Sequence, residues 1–301
     1  MRFMVPSSPI PGGRSESADA LRKASARLCA GVVTALVGLL GVVLLAGTGK
    51  EPAVGQRDDP PLHIGDPQSP FDHEHRSWTA ILAPYVRDGS VDYRGLADHG
   101  EPALNAYLRG LSAASPAESD WTREERLAFW INAYNAFTIR LILDHYPLAS
   151  IRSIGFLPLA AFRTQFIPLG AAHASISLNV IENKILRKQF QDARIHFAIV
   201  CASRSCPALR SEAYRSSVID QQLDAAARAF LDDRSKNRWE PPSRTLYLSS
   251  IFKWFRDDFE REGKTLSAFV ARYLGQPDAA ALNDGKVRVA FLDYDWSLNG
   301  R

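Results

Sequence analysis

Cysteine is scarce, with three among 301 residues, which excludes the disulfide framework that holds small secreted domains together. Charge is missing altogether between Leu28 and Gly49. That stretch has about the 20 apolar residues a helix needs to cross a bilayer, and no amphipathic stripe interrupts it as it would in a core helix. Arg14, Arg22, Lys23 and Arg27 precede it, which by the positive-inside rule keeps the N-terminus cytoplasmic and sends the rest outside. No cysteine follows the run to carry a lipid. The run exceeds the usual signal-peptide core of about 7–15 residues, which favours a retained anchor, while Ala46-Gly47-Thr48-Gly49 offers a cut that would release a secreted form.

Excess positive charge is also lacking where it would matter. Residues 1–50 hold six Lys and Arg against two acids, a net of +4, so residues 51–301 carry +3 minus +4, or −1. That balance gives no general attraction for phosphate backbones and excludes a nucleic-acid partner. Internal repeats are absent. So are the further ligands that would make His73-Glu74-His75 a zinc site, and no metal or cofactor is expected.

The organisation that remains is a disordered N-terminus over 1–27, a transmembrane signal anchor over 28–49, a Pro-rich linker over 50–70 and a globular domain over 71–301. The periodicity predicts helices over Trp78–Val86, Pro102–Leu111, a third capped by Asp120 or Thr122 and stopped before Pro147, then Leu178–Phe190, Val218–Leu231, Phe252–Phe259 and Leu266–Leu274. Strands are expected at Ile195–Cys201, Thr245–Leu248 and Val287–Leu292, and Gly89 to Tyr93 reads as a turn into an extended piece. The fold class is therefore α/β (α+β), a mostly helical single domain around a small mixed sheet, papain- or transglutaminase-like by analogy.

Chemistry concentrates in His196-Phe-Ala-Ile-Val-Cys-Ala-Ser-Arg-Ser-Cys206-Pro. Strand alternation points His196 away from Cys201, whereas Cys206 lies on a loop free to fold over either face. With Pro207 at a first helical position, Cys206 would be a helix N-cap, a place that lowers a thiol pKa. Cys206 is thus the candidate nucleophile and His196 its base. Glu182, lying on the apolar stripe of its helix, would orient the imidazole. The uncharged third helix carries Asn132 and Asn135 on one buried face, where amides need partners or cost about 1–3 kcal/mol each. With Cys201 they are the candidate substrate-binding or oxyanion groups. Bland alternatives stand beside these: Cys201 and Cys206 as a disulfide, Glu182 as a structural ion-pair member, the asparagines as bridges to neighbouring backbone. Asp293-Tyr-Asp-Trp-Ser-Leu-Asn299 is either a cleft wall or a strand-end cluster.

Five motifs in order, Phe129-Trp-Ile-Asn-Ala-Tyr-Asn135, Ser177-Leu-Asn-Val-Ile-Glu182, the His196 to Pro207 segment, Phe252-Lys-Trp-Phe-Arg-Asp-Asp-Phe259 and Tyr294-Asp-Trp-Ser-Leu-Asn299, resemble the DUF547 family, a family of unknown function. The resemblance runs over most of residues 71–300. It implies thiol chemistry by association with glutaredoxin-like fusions and points again to Glu182, His196, Cys201 and Cys206. Many relatives have His after that Glu, where this chain has Asn183.

Together these readings lead to a cysteine-dependent hydrolase or acyl transferase for a small-molecule or peptide-like carbonyl, an amide or a thioester, anchored in the inner membrane with its domain in the periplasm. The alternative is a non-catalytic binding module with structural cysteines. A thiol-disulfide role ranks third, because Cys-x4-Cys is not C-x-x-C.

Overall fold

The longest helix begins with a capping box: Thr122 Oγ1 accepts from the Glu125 N–H, and the Glu125 carboxylate accepts from the Thr122 N–H. Two orphan donors are satisfied before the first turn closes, with acids Glu124 and Glu125 at the positive end of the helix dipole. The computed structural model describes residues 71–114, 120–157, 159–169 and 174–301, all in the compact unit Pro60–Arg301. The N-terminal segment, the apolar run and the linker lie outside the described residues. Among those described, no helix is long and apolar enough to cross a membrane.

The elements are α1 (Arg76–Tyr85), β1 (Val86–Arg87), β2 (Ser90–Val91), α2 (Tyr93–Gly95), α3 (Glu101–Ala113), α4 (Arg123–Leu143), α5 (Ala160–Arg163) and α6 (Leu178–Val180), which continues as a π-helix over Ile181–Phe190. There follow α7 (Ile219–Asp232), β3 (Arg238–Glu240), β4 (Thr245–Ser249), α8 (Ser250–Trp254), α9 (Arg256–Phe259), α10 (Leu266–Ala271), α11 (Asp278–Asn283) and β5 (Arg288–Leu292). The fold is mostly helical around a small mixed sheet, as the periodicity predicts. In that sheet β4 is central, antiparallel to β3 with Trp239 opposite Leu246 and parallel to β5 with Leu248 opposite Phe291. β1 and β2 form a separate hairpin whose two turn residues, Asp88 (φ 49°) and Gly89 (φ 78°), both take the left-handed backbone that a type I′ turn requires.

Two apolar clusters divide the interior. The first surrounds α4, which is buried along nearly its whole length because it carries no charge from Leu127 to Ile139. The second packs Phe230, Phe252, Phe259 and Phe269 beneath the three-stranded sheet. Residues 195–200 run between them, with Ile195 and Ile199 in the first cluster and Phe197 in the second.

That junction is where strand expectation fails. Ala193–Phe197 is a 3-10 helix and the chain from 198 to 202 is irregular. A fully buried β-branched and aromatic run looks the same in sequence whether its backbone is extended or coiled. Its backbone bonds go instead to the Asn135 amide, which donates to Ala198 C=O at 2.9 Å and accepts from the Val200 N–H at 2.9 Å. One side chain replaces a neighbouring strand.

Candidate active site

Asn132 repeats this arrangement at Tyr214, donating to its C=O at 2.7 Å and accepting from its N–H at 3.0 Å. Both asparagines therefore hold loop backbone to α4, and neither lines the cavity described below, so the oxyanion role expected for them is replaced by a structural one. Buried amides find the nearest backbone groups that would otherwise be orphaned.

A cavity of about 460 Å³ opens between α6 with its π-helical continuation, the segment after Val200, α8 and the C-terminal strip 294–296. Glu182, His196, Cys201 and Cys206 all line it. Sequence reasoning brought these four together; their relations differ from those expected. Cys206 does not cap a helix, since no helix begins at Pro207. It is joined to Cys201 in a disulfide, Cys206 being buried and Cys201 half-buried. Two donors converge on Cys206 Sγ, the Cys201 N–H at 2.9 Å and the Tyr294 hydroxyl at 3.2 Å. Tyr294 also lies 3.3 Å from Cys201 Sγ and accepts from Ser203 at 3.1 Å. The loop is pinned from behind: Arg204 N–H donates to Ser297 C=O at 2.9 Å, Ser205 N–H to Asp295 C=O at 3.2 Å and Asn299 N–H to Ala202 C=O at 3.1 Å. Ala202, at φ 59°, turns the chain between the sulfurs. The Tyr294 to Asn299 motif is thus a cleft wall, with Tyr294 and Trp296 facing the cavity.

His196 is oriented by Asp258 rather than by Glu182. Its Nε2 lies 2.8 Å from Asp258 Oδ2, and the ring stacks on Phe255 at 4.1 Å between centroids. The expected helix over Phe252–Phe259 breaks at Phe255 (φ −115°, ψ 30°), which turns α9 so that Asp258 meets the imidazole. Burial would raise the Asp258 carboxyl, but hydrogen bonds from His196 and Arg187 outweigh it and hold the group well below the usual carboxylate range. Burial lowers the His196 pKa against the opposing pull of Asp258. An ionised carboxylate can only accept, so the neutral ring carries its proton on Nε2 and leaves Nδ1 as the lone-pair nitrogen. Nδ1 has no partner among the described residues.

Asp258 was missed from sequence. A signal existed: Phe252, Phe255 and Phe259 share a helix face with Asp258, and a carboxylate among aromatics needs a cation or a histidine. Arg187 and Arg261 supply further partners, Arg261 at 3.0 Å. Asn183, in place of the relatives' His, accepts from Arg187 at 2.7 Å and donates to Asn179 at 3.0 Å, so it steadies the arginine behind Asp258. Asp258 also borders a second, cationic cavity lined by Arg123, Arg261 and Arg272.

Glu182, on the π-helix, makes no hydrogen bond or ion pair among the described residues. Burial raises its pKa to about 7, with Arg187 opposing and Asp258 reinforcing the shift. Away from the cavity, His75 is hydrogen-bonded to Tyr107 at 2.7 Å and burial lowers its pKa to about 3, while His73 sits edge-on to Trp121, so both belong to an aromatic cluster with Phe71.

Residues 118–231 match the family model described as a protein of unknown function, DUF547. Over that segment the chain is similar to DUF547. No curated protein and no solved structure matches it. The DUF547 match takes in Glu182, His196, Cys201 and Cys206 and ends at the last turn of α7. Ile251, Trp254, Phe255, Tyr294 and Trp296, five of the eighteen residues lining the cavity, lie beyond the matched DUF547 segment, as does Asp258 behind His196.

Proposed function

We propose that this cavity is a thiol-dependent acyl-transfer or hydrolysis site, held in reserve by the Cys201–Cys206 disulfide. The observation that carries the reading is the state of His196: Nε2 is fixed by Asp258, and the unprotonated Nδ1 belongs to a ring lining the same cavity as Cys206. A nucleophile, a base and a group that orients the base are the parts that acyl transfer requires. Asp258 takes the orienting role first given to Glu182. The Cys201 N–H and Tyr294 O–H at Cys206 Sγ contribute little to a disulfide sulfur but would stabilise a thiolate.

Reduction by an external dithiol takes up two electrons and two protons and frees both sulfurs. Nδ1 of His196 then receives the Cys206 thiol proton, the thiolate adds to an amide, thioester or peptide-like carbonyl, and the same proton leaves with the departing group. Water or a second acceptor resolves the acyl-enzyme.

A panel of small thioesters and activated esters, offered to the reduced chain with peptide mass spectrometry as readout, tests this. Acylation at Cys206, abolished in His196→Ala, is expected. Acylation that is absent from Cys206, or indifferent to His196→Ala, sinks the reading. The disulfide itself favours a second reading, a binding module in which the cystine braces the cavity wall. In that case ligand affinity would survive oxidation, and no acyl group would transfer.

A further inference from the structure

Among the described residues, the exposed large hydrophobic side chains are Phe156, Leu157, Leu159 and Trp254. They are not scattered. Leu159 and Trp254 line the mouth of the cavity that holds Cys206, and Phe156, fully exposed at 107 %, and Leu157 lie on the loop leading to Leu159. Apolar groups gathered at the entrance to a ligand cavity mark a contact surface. Inside this lip the wall stays aromatic, with Trp254, Tyr294 and Trp296 within 4.6–5.7 Å of one another. Arg152, whose guanidinium lies 5.3 Å above Trp296, and Arg163 flank it as exposed cations.

We infer that the lip rests on an anionic bilayer surface and that the cavity takes a membrane-resident amphiphile bearing an acyl carbonyl. Three observations select this occupant. The sequence carries an uncharged run, Leu28–Gly49, ahead of the domain. Only residues 50–70 separate that run from the domain in sequence. The arginines complement anionic headgroups, and half-exposed tryptophan is at home at a membrane interface. The acyl chain lies along Leu159, Phe162 and Trp254, the headgroup meets Arg152 and Arg163, and the carbonyl reaches the Cys206 end. This substrate class rests on the reading of the cavity as an acyl-transfer site.

The test uses the full chain in vesicles containing anionic lipid. All six tryptophans, at 78, 121, 130, 239, 254 and 296, lie in the domain and none in residues 1–70. Phospholipids brominated on the acyl chains therefore quench fluorescence only where the domain itself touches the bilayer. Quenching of the native chain is expected, with most of it lost in Trp254→Phe and in the exposed-loop variant Leu157→Ser, circular dichroism being unchanged. No quenching, as would follow if a second copy or the chain's own apolar run covered the lip, overturns the inference. So does quenching equally strong in Trp254→Phe. The readout does not depend on thiol chemistry: quenching without Cys206 acylation retires the acyl-transfer reading, and with it the acyl substrate, but leaves the membrane contact standing, whereas acylation without quenching retires the membrane contact alone.

Discussion

Glu182 is the residue whose chemistry is most open to a direct thermodynamic reading. Burial raises its folded pKa to about 7, whereas an unfolded Glu titrates near 4.3. The folded chain therefore binds the extra proton in the window between those values, and stability falls as pH rises through it. Glu182→Gln is expected to flatten this slope and to raise unfolding free energy at pH 8 by about 2 kcal/mol, after discounting for contact with cavity water. Urea titrations at pH 4.5 and pH 8 measure it; an unchanged slope would mean that the carboxylate is as well solvated in the cavity as outside. At Asp258 the sign reverses. Its carboxylate accepts from His196, Arg187 and Arg261, so Asp258→Asn leaves two guanidinium groups without their anion and should cost about 3 kcal/mol in the same assay. A loss under about 1 kcal/mol would show that the network is screened like an exposed ion pair.

At the scale of elements, side-chain amides do the work of missing strands. Asn135→Leu removes a donor and an acceptor from buried backbone at 198 and 200, and should destabilise the fold by about 2–4 kcal/mol while loosening the loop that carries His196. Hydrogen exchange at Val200 reads it directly, and full protection in the variant would contradict the assignment. The Asp88-Gly89 turn is equally specific, because a Cβ at Gly89 would lie 2.6 Å from Ala208 Cβ at φ 78°; Gly89→Ala should cost more than about 1 kcal/mol by thermal melt. These elements also show what could be read in advance. The capped α4, the amphipathic α7 and the strands β4 and β5 follow from local periodicity, which depends on neighbours in sequence. The segment 195–201 did not yield to it, since a run buried on every side has no polar face to reveal its period. The π-helix over Ile181–Phe190 and the break at Phe255 were hidden for another reason: periodicity reads a helix in both places, but its winding and its break are set by what packs against them.

Across the whole molecule the cavity sits where the two apolar clusters meet, so its parts come from four stretches far apart in sequence. Glu182, His196, Cys201 and Cys206 were legible because each is a chemically unusual residue within its own element. The pairing of His196 with Asp258 was not, because a contact spanning 62 positions leaves only a carboxylate in aromatic company as its trace. The cystine closes a loop of only five positions, so reduction should lower stability by about 2 kcal/mol and leave the fold intact, the loop being pinned by residues 295–299. Cys206 is then the group on which the account stands. In Cys201→Ser, the rate of iodoacetamide modification at Cys206, followed by peptide mass against pH, reports the thiol pKa. The account predicts a midpoint near or below about 7, well under the ~8.5 of a free thiol, that moves upward in His196→Ala; a midpoint at or above ~8.5, insensitive to His196, would contradict it.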